Sequence, residues 1–495
     1  MSVLDLARTP SSWRQRVAIV ESDGTEHTYE QLSKRVARRS TELLRAGGEV
    51  RGRLVLTPGS ASLESVVRLL AVWSVGGIVM PAHPRWSDSE RHALVSQANP
   101  ALDWNTLGGA PEQRHAAAVG TRLSPDAAVV MFTSGTSGQR KGVVLTHENL
   151  LAAAQASEQN LGWYEDDRWA LGIPVAHVGG LSIVIRSLLA GACVVCTSAF
   201  DSATYHAERE RLGVTLDSLV PTMLARLVRE QPVPPAGLRA VLIGGAAATP
   251  SVISRARADG WPLRLTYGMT ETAAQFCTQR GGDFRPDGGG PPLPGCEVDV
   301  RSGTLWVRGK SVAKQTLPGS PPLQRDESGW LCTGDVAEIR DDGSVYIRAR
   351  FTELIISGGE NVYPQEVERA LSRHPCVNAV CVVGEPNPEW GHSVVAAVEW
   401  SERAREEIKA SGETEASALR AHARSQLAPH ARPRRYLSVN ALPTTAGGKL
   451  DRDAVLALVL STDGADVANQ AVAVRQDDAK SSAHKQGLDP QSKPS

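Results

Sequence analysis

Thr133-Ser-Gly-Thr-Ser-Gly-Gln-Arg-Lys141 brings three kinds of phosphate ligand into one short segment. Gly135 and Gly138 let backbone N–H groups approach phosphate oxygens, the hydroxyls of Thr133, Ser134, Thr136 and Ser137 add donors, and Arg140 with Lys141 adds positive charge. The apolar runs on either side, Ala127 to Phe132 and Gly142 to Leu145, read as strands, so the loop turns a hairpin. That excludes the common P-loop, in which Lys is followed by Ser or Thr and a helix; here Lys141 precedes Gly142 and a strand. Such a Ser/Thr/Gly cluster is also compatible with an ordinary surface loop.

Three distant segments carry matching chemistry. Thr266-Tyr-Gly-Met-Thr-Glu-Thr272 offers an aromatic face for a base, hydroxyls for a phosphate, and a carboxylate, Glu271, suited to magnesium. Trp330-Leu-Cys-Thr-Gly-Asp335 sets a carboxylate just after a tight turn, where it can accept both hydroxyls of a ribose; a plain turn is the other reading. Pro443-Thr-Thr-Ala-Gly-Gly-Lys449 places one ammonium on a glycine-flexible loop, able to neutralise charge on a carboxylate attacking phosphorus, although most such lysines are solvated surface charges.

The elements that must position these groups alternate between strand and helix. Helices are expected from Thr28 to Leu44, Leu63 to Trp73, Glu148 to Leu161, Tyr205 to Leu212 and Met223 to Glu230, with strands at Leu54 to Leu56, Ala192 to Cys196, Ser218 to Val220 and Ala240 to Ile243. Such alternation predicts α/β layers with parallel strands. From Gly303 to Ile347 the texture becomes short strands and turns, a β-rich subdomain. Beyond Phe351 a smaller unit has helices at Pro364 to Ser372 and near Ser417 to Leu427, with strands at Ala379 to Val383 and Val394 to Trp400. The residues after Ser461 are polar and are expected to be disordered.

Composition limits the alternatives. A chain of 495 residues exceeds a single typical core, and a formal net charge of -1 gives no general attraction to nucleic acid or to an anionic membrane. Any phosphate site must be local. Met1 to Arg8 lacks the apolar core of a signal peptide, which points to the cytoplasm. The apolar run Val66 to Met80, interrupted by Arg68 and Gly76-Gly77, is too short to span a bilayer comfortably and reads as a buried helix. Of the seven cysteines, Cys193 and Cys196 alone form a close pair, and reduced core thiols are expected.

Taken together, Phe132 to Gly142, Tyr267 to Thr272, Thr333 to Asp335, Arg350 to Glu368 and Lys449 resemble the adenylate-forming superfamily of acyl-CoA synthetases, firefly luciferase and peptide-synthetase adenylation domains. The resemblance runs from about Thr28 to Arg452. It implies an α/β fold: a large N-terminal domain (1–349) of layered α/β subdomains plus a β-rich subdomain, a hinge (350–352), a small mobile α+β C-terminal domain (353–460) and a tail (461–495). It also implies ATP, magnesium and coenzyme A, and two half-reactions, adenylation of a carboxylic acid and transfer to a thiol. Thr133, Ser134, Gly135, Thr136, Ser137, Gly138 and Lys141 then resemble the phosphate loop, Tyr267 the adenine-stacking residue, Thr270 the α-phosphate contact and Glu271 the magnesium ligand. Gly245, Ala246, Thr266 and Gly268 fall beside the nucleotide, Asp335 and Arg350 match ribose contacts, and Lys449 matches the adenylation lysine. Gly358 and Gly359 resemble glycines lining the pantetheine tunnel, and His177 matches a position that gates the acyl pocket. Ala349 and Thr352 depart from the usual Gly and Asp at the hinge.

Within the superfamily, His177-Val-Gly-Gly-Leu-Ser182, Val220 to Leu224, Tyr267 to Gln275 and Leu354 to Pro364 are similar to o-succinylbenzoate-CoA ligases of menaquinone biosynthesis. That substrate has two carboxylates, and the one not activated wants a cation. Arg186, about two helical turns beyond His177, is the candidate, with His177 and Gln275 as further substrate contacts. The alternative is an Arg186 that pairs with an acidic neighbour or faces solvent. Ligases for other acyl or aryl acids, and an adenylation enzyme loading a carrier protein, remain open, as does a homodimer.

Overall fold

The computed structural model describes residues 10–47, 49–104, 112–113, 121, 123–133, 140–282, 284–350, 353–401, 414–445 and 449–462. Two sheets with parallel cores dominate the first half. A seven-stranded sheet places Ala127–Thr133, Ile78–Ala82, Leu54–Pro58 and Leu102–Asp103 side by side in parallel, with Lys141–Thr146 antiparallel beyond the first of these. An eight-stranded sheet runs Leu263–Met269, Ala240–Ile243, Leu216–Leu219, Arg168–Leu171 and Cys193–Cys196 in parallel, and is edged by antiparallel Ala274–Thr278. Val55, Val79, Val129, Val194 and Val241 are each fully buried, the signature of strands covered on both faces.

Nearly all the expected elements form, within a few residues of their expected ends. The run from Val66 to Met80 is the exception: its helix, Leu63–Ser74, stops at Gly76, whose φ of 76° suits a helix end, and the remainder is the strand Ile78–Ala82. The helix Asp88–Ala98, fixed by a Ser87/Glu90 capping box, was not anticipated. All seven cysteines are free, and burial pushes the Cys193 and Cys196 thiols up to about 12.

The β-rich part is a four-stranded antiparallel sheet of Cys296–Arg301, Thr304–Gly309, Leu331–Ile339 and Val345–Arg350. Here the expected tight turn before Asp335 is replaced by a continuous strand, in which Gly334 takes a φ of 74° and Thr333 Oγ1 accepts the Asp335 N–H at 3.0 Å. The kink, not a chain reversal, aims the carboxylate. From Ile355 onward a five-stranded sheet packs with helices Pro364–Leu371, Glu415–Gln426 and Arg452–Ser461 around two apolar clusters of its own. Contacts with the preceding sheet are polar: Arg348 pairs with Glu366 at 2.9 Å, and Arg369 donates to the Ile347 carbonyl at 2.9 Å.

The hairpin Leu263–Met269/Ala274–Thr278 depends on Gly268. A Cβ there would lie 1.8 Å from the Ala274 carbonyl oxygen, so this glycine is required by strand approach. Gly268→Ala is expected to destabilise the protein by roughly 1–3 kcal/mol, read as a lowered denaturation midpoint, and to weaken ATP binding because Tyr267 and Glu271 flank it.

Candidate active site

The carboxyl ends of both sets of parallel strands open on one crevice, the usual ligand position in open α/β sheets. Thr133 and Lys141 face each other as the last pair of the phosphate hairpin, with the Thr133 hydroxyl 3.5 Å from the Lys141 carbonyl. Ser134, Gly135, Thr136, Ser137 and Gly138 lie outside the described residues. The Lys141 ammonium meets Glu271 Oε1 at 2.9 Å, joining segments 130 residues apart. Thr270, Glu271 and Thr272 form a short 3-10 turn after the strand Leu263–Met269, and the Glu271 carboxylate is only 7% exposed.

Tyr267 and Asp335 also converge. The Tyr267 hydroxyl donates to one Asp335 oxygen at 2.7 Å, and Arg350 Nε approaches the other at 3.0 Å. Burial, reinforced by Asp335, raises the Tyr267 pKa far above its usual value; burial also lifts Asp335, against the pull of Arg350 and the Tyr267 hydroxyl. Thr266 is committed elsewhere, its hydroxyl donating to the Cys277 carbonyl at 2.9 Å. Thr266 and Gly268 thus also hold the hairpin that carries Tyr267 and Glu271.

Lys449 reaches this cluster from the C-terminal part. Its methylene chain passes 3.7 Å from where a Gly245 side chain would begin, and Gly245 and Ala246 form an exposed loop at the end of Ala240–Ile243. The Lys449 backbone is held at both ends of its loop: Thr445 N–H donates to the Lys449 carbonyl at 2.7 Å, and Lys449 N–H to Thr445 Oγ1 at 3.3 Å. Loss of hydration in the cleft, then the Arg350 cation, lowers its pKa, while Asp335 and Glu353 oppose the shift. Glu353, which sequence reasoning passed over, also pairs with Arg452 at 3.1 Å.

The acyl side lies under helix Val178–Ala190, which packs on helix His147–Leu161 and on strands of the eight-stranded sheet. A small pocket there is lined by Leu150, Ala154, Val178, Ile185 and Arg186. Arg186 is 2% exposed, has no ion-pair partner among the described residues, and leaves Nε and Nη2 without hydrogen bonds. Its guanidinium lies over the Trp169 ring, 5.5 Å from the centroid, as a cation–π pair, and burial pushes its pKa down to about 9. His177 caps the helix start without a side-chain bond; burial and the cations around it push its pKa down to about 4, so it is neutral near pH 7.

Gln275, an expected substrate contact, is taken up by the core: its oxygen accepts from Ser157 at 3.0 Å and its nitrogen donates to Thr278 at 2.9 Å. Gly358 and Gly359 form the exposed two-residue turn of hairpin Ile355–Ser357/Glu360–Val362, with φ of 61° and 82°, and the Trp390 ring stands 2.9 Å from a side chain at Gly358.

Residues 6–103 and 89–315 match the AMP-binding enzyme family, and residues 366–449 its C-terminal domain. The chain belongs to the AMP-binding enzyme family, as an AMP-forming ligase. A 2-succinylbenzoate–CoA ligase of Bacillus pumilus is 34% identical over 339 residues, 66% of this chain and 68% of that protein. The enzyme of the same name from Listeria monocytogenes serotype 4b is 30% identical over 455 residues, covering 87% and 94%. Among solved structures, o-succinylbenzoate CoA synthetase of Bacillus subtilis with the acyl-adenylate OSB-AMP superposes with a TM-score of 0.79 at 27% identity, covering 92% of this chain and 97% of that one. The same enzyme with ATP and a magnesium ion gives 0.77 at 26% identity, covering 91% and 98%.

Lys449→Ala is expected to reduce acid-dependent exchange of labelled pyrophosphate into ATP by about 100-fold or more, while thioester formation from supplied acyl-adenylate is largely kept. Equal loss in both assays would remove Lys449 from the adenylation step.

Proposed function

We propose that this chain is a 2-succinylbenzoate–CoA ligase of menaquinone biosynthesis. A carboxylate oxygen of the acid attacks the α-phosphorus of ATP, the bond to pyrophosphate breaks, and the CoA sulfur then displaces AMP from the acyl carbon. Lys141 and the phosphate loop hold the triphosphate, Tyr267 presents its ring to adenine, Asp335 and Arg350 hold the ribose, Thr270 contacts the α-phosphate, and Lys449 offsets charge as the acid attacks. Among the described residues no three carboxylate, histidine or cysteine side chains cluster as a metal site; Glu271 is a single buried carboxylate, which suits magnesium held mainly by substrate phosphates. When bound, the ion would supply positive charge that offsets the charge of those phosphates. Residues 353–460 are assigned to a mobile C-terminal domain: the two apolar clusters of that part contain no earlier residue, and Arg348 and Glu366 form an ion pair at its junction. Gly358 and Gly359 are assigned to CoA entry. No described helix is long and apolar enough to cross a membrane, and the substrates are small soluble molecules; we assign the reaction to the cytoplasm.

The observation that carries the substrate is Arg186. A guanidinium buried without a counter-ion among the described residues is unfavourable unless a partner arrives, and the distal carboxylate of 2-succinylbenzoate is a partner of the right charge for a pocket whose other lining residues are, apart from Ser182, apolar. A monocarboxylic acid leaves it unpaired.

Pyrophosphate release across a panel of carboxylic acids, with mass detection of the CoA thioester, tests reaction and substrate together; preference for a monocarboxylic acid would refute the assignment. Arg186→Met should raise KM for 2-succinylbenzoate by about 10- to 100-fold and leave that for benzoate analogues nearly unchanged. The same variant should raise the thermal midpoint of the unliganded protein, because an uncompensated buried charge is removed.

A further inference from the structure

His83 has no part in the chemistry described so far. It directly follows strand Ile78–Ala82, which pairs in parallel with Leu54–Pro58 and with the phosphate-hairpin strand Ala127–Thr133, so it stands on the edge where the crevice opens. The side chain is 92% buried, being 8% exposed in all. Its Nδ1 accepts the Arg85 backbone N–H at 3.1 Å, which leaves the proton of the neutral ring on Nε2. That Nε2–H is sealed from solvent and has no hydrogen-bond partner among the described residues.

The ring against it is His177, edge to face with centroids 4.8 Å apart, and His177 Nε2 is unpartnered too. Burial first, then the cations Arg85 and Arg140, push the His83 pKa down to about 4, so the ring donates a hydrogen bond at neutral pH without carrying charge. Glu90, the nearby acid, is taken by Arg140 and by the Ser87 backbone N–H. A buried donor without an acceptor disfavours the folded state. Here the missing acceptor is of a kind that both substrates bring: an anionic oxygen.

We propose that His83 is a further substrate-binding residue, whose Nε2–H donates to an anionic oxygen of a bound substrate once the His177 ring shifts off it. The oxygen belongs either to the carboxylate of the acid or to a phosphate of ATP; both are acceptors for a neutral N–H. The proposal rests on the ligase reading above but needs only the adenylation half-reaction.

The test compares full-length wild type, His83→Phe and His83→Gln by pyrophosphate release, varying 2-succinylbenzoate and Mg·ATP separately. Phe keeps the ring shape without the donor, whereas Gln restores an N–H near the Nε2 position. His83→Phe should lose about 10- to 100-fold in kcat/KM with an unchanged or higher thermal midpoint, and His83→Gln should recover most of it. A loss confined to the acid's KM assigns the carboxylate; one confined to the ATP KM assigns a phosphate. In protein labelled with nitrogen-15 histidine, the His83 Nε2–H resonance, assigned by its absence in either variant, should move downfield when Mg·ATP or an unreactive 2-succinylbenzoyl sulfamoyl-adenosine is added. The proposal is overturned if His83→Phe stays within about two-fold of wild type for both substrates, if His83→Gln is as impaired as His83→Phe, or if the resonance does not move. Should wild type turn over other acids but not 2-succinylbenzoate, the substrate assignment alone fails, and the comparison is run with the acid accepted.

Discussion

Positive charge removed from water and left without a full complement of acid governs this site. Among the described residues Arg186 has no counter-ion, Lys449 is crowded by Arg350, and Arg140 and Lys141 each pair with one glutamate, Glu90 and Glu271. Buried as Arg186 is, a cation loses hydration, and cations brought close to one another repel. A triphosphate and a dicarboxylic acid are the kind of ligands that reverse this balance. The Lys141–Glu271 pair is the clearest instance: each side chain stands in for the other's expected partner, the lysine for a metal and the glutamate for a phosphate.

The frame that gathers these charges follows from two ordinary rules. Strands covered on both faces read as unbroken apolar runs, and in open α/β sheets the functional groups come to the carboxyl ends. The phosphate hairpin, the Tyr267 to Glu271 segment and the Gly245 loop all leave strands at such ends, although two different sheets supply them. Asp335 and Arg350 come instead as a directly paired couple across neighbouring antiparallel strands.

Much of this was legible in the sequence because it is local. The Val/Ala/Leu runs gave the strands, the Lys141-Gly142-Val143 order gave the hairpin, and Arg186 stood out as a charge in an apolar helix. What escaped is non-local or depends on φ. Whether Trp330 to Asp335 turns or merely kinks hangs on Gly334, and a glycine permits both. The bond that Gln275 accepts from Ser157, more than a hundred residues away, is of the non-local kind. So are the bond from Thr266 to the Cys277 carbonyl and the close approach of Ala274 to Gly268, both made by a neighbouring strand. His83 had a usable signal, a titratable side chain just past the apolar run Ile78 to Ala82, but its significance depends on His177 and Arg85 around it.

The stapling of Lys449 by paired bonds with Thr445 has a kinetic meaning. An ammonium on a freely writhing tether would have to find its place by diffusion of its own backbone, an entropic search repeated every turnover. Clamped at its base, and followed at once by helix Arg452–Ser461 whose first residue grips Glu353 and Glu368, it rides as a fixed passenger of the body that carries it. On the proposed function, adenylation then waits on the movement of the whole C-terminal part rather than on the wandering of one side chain.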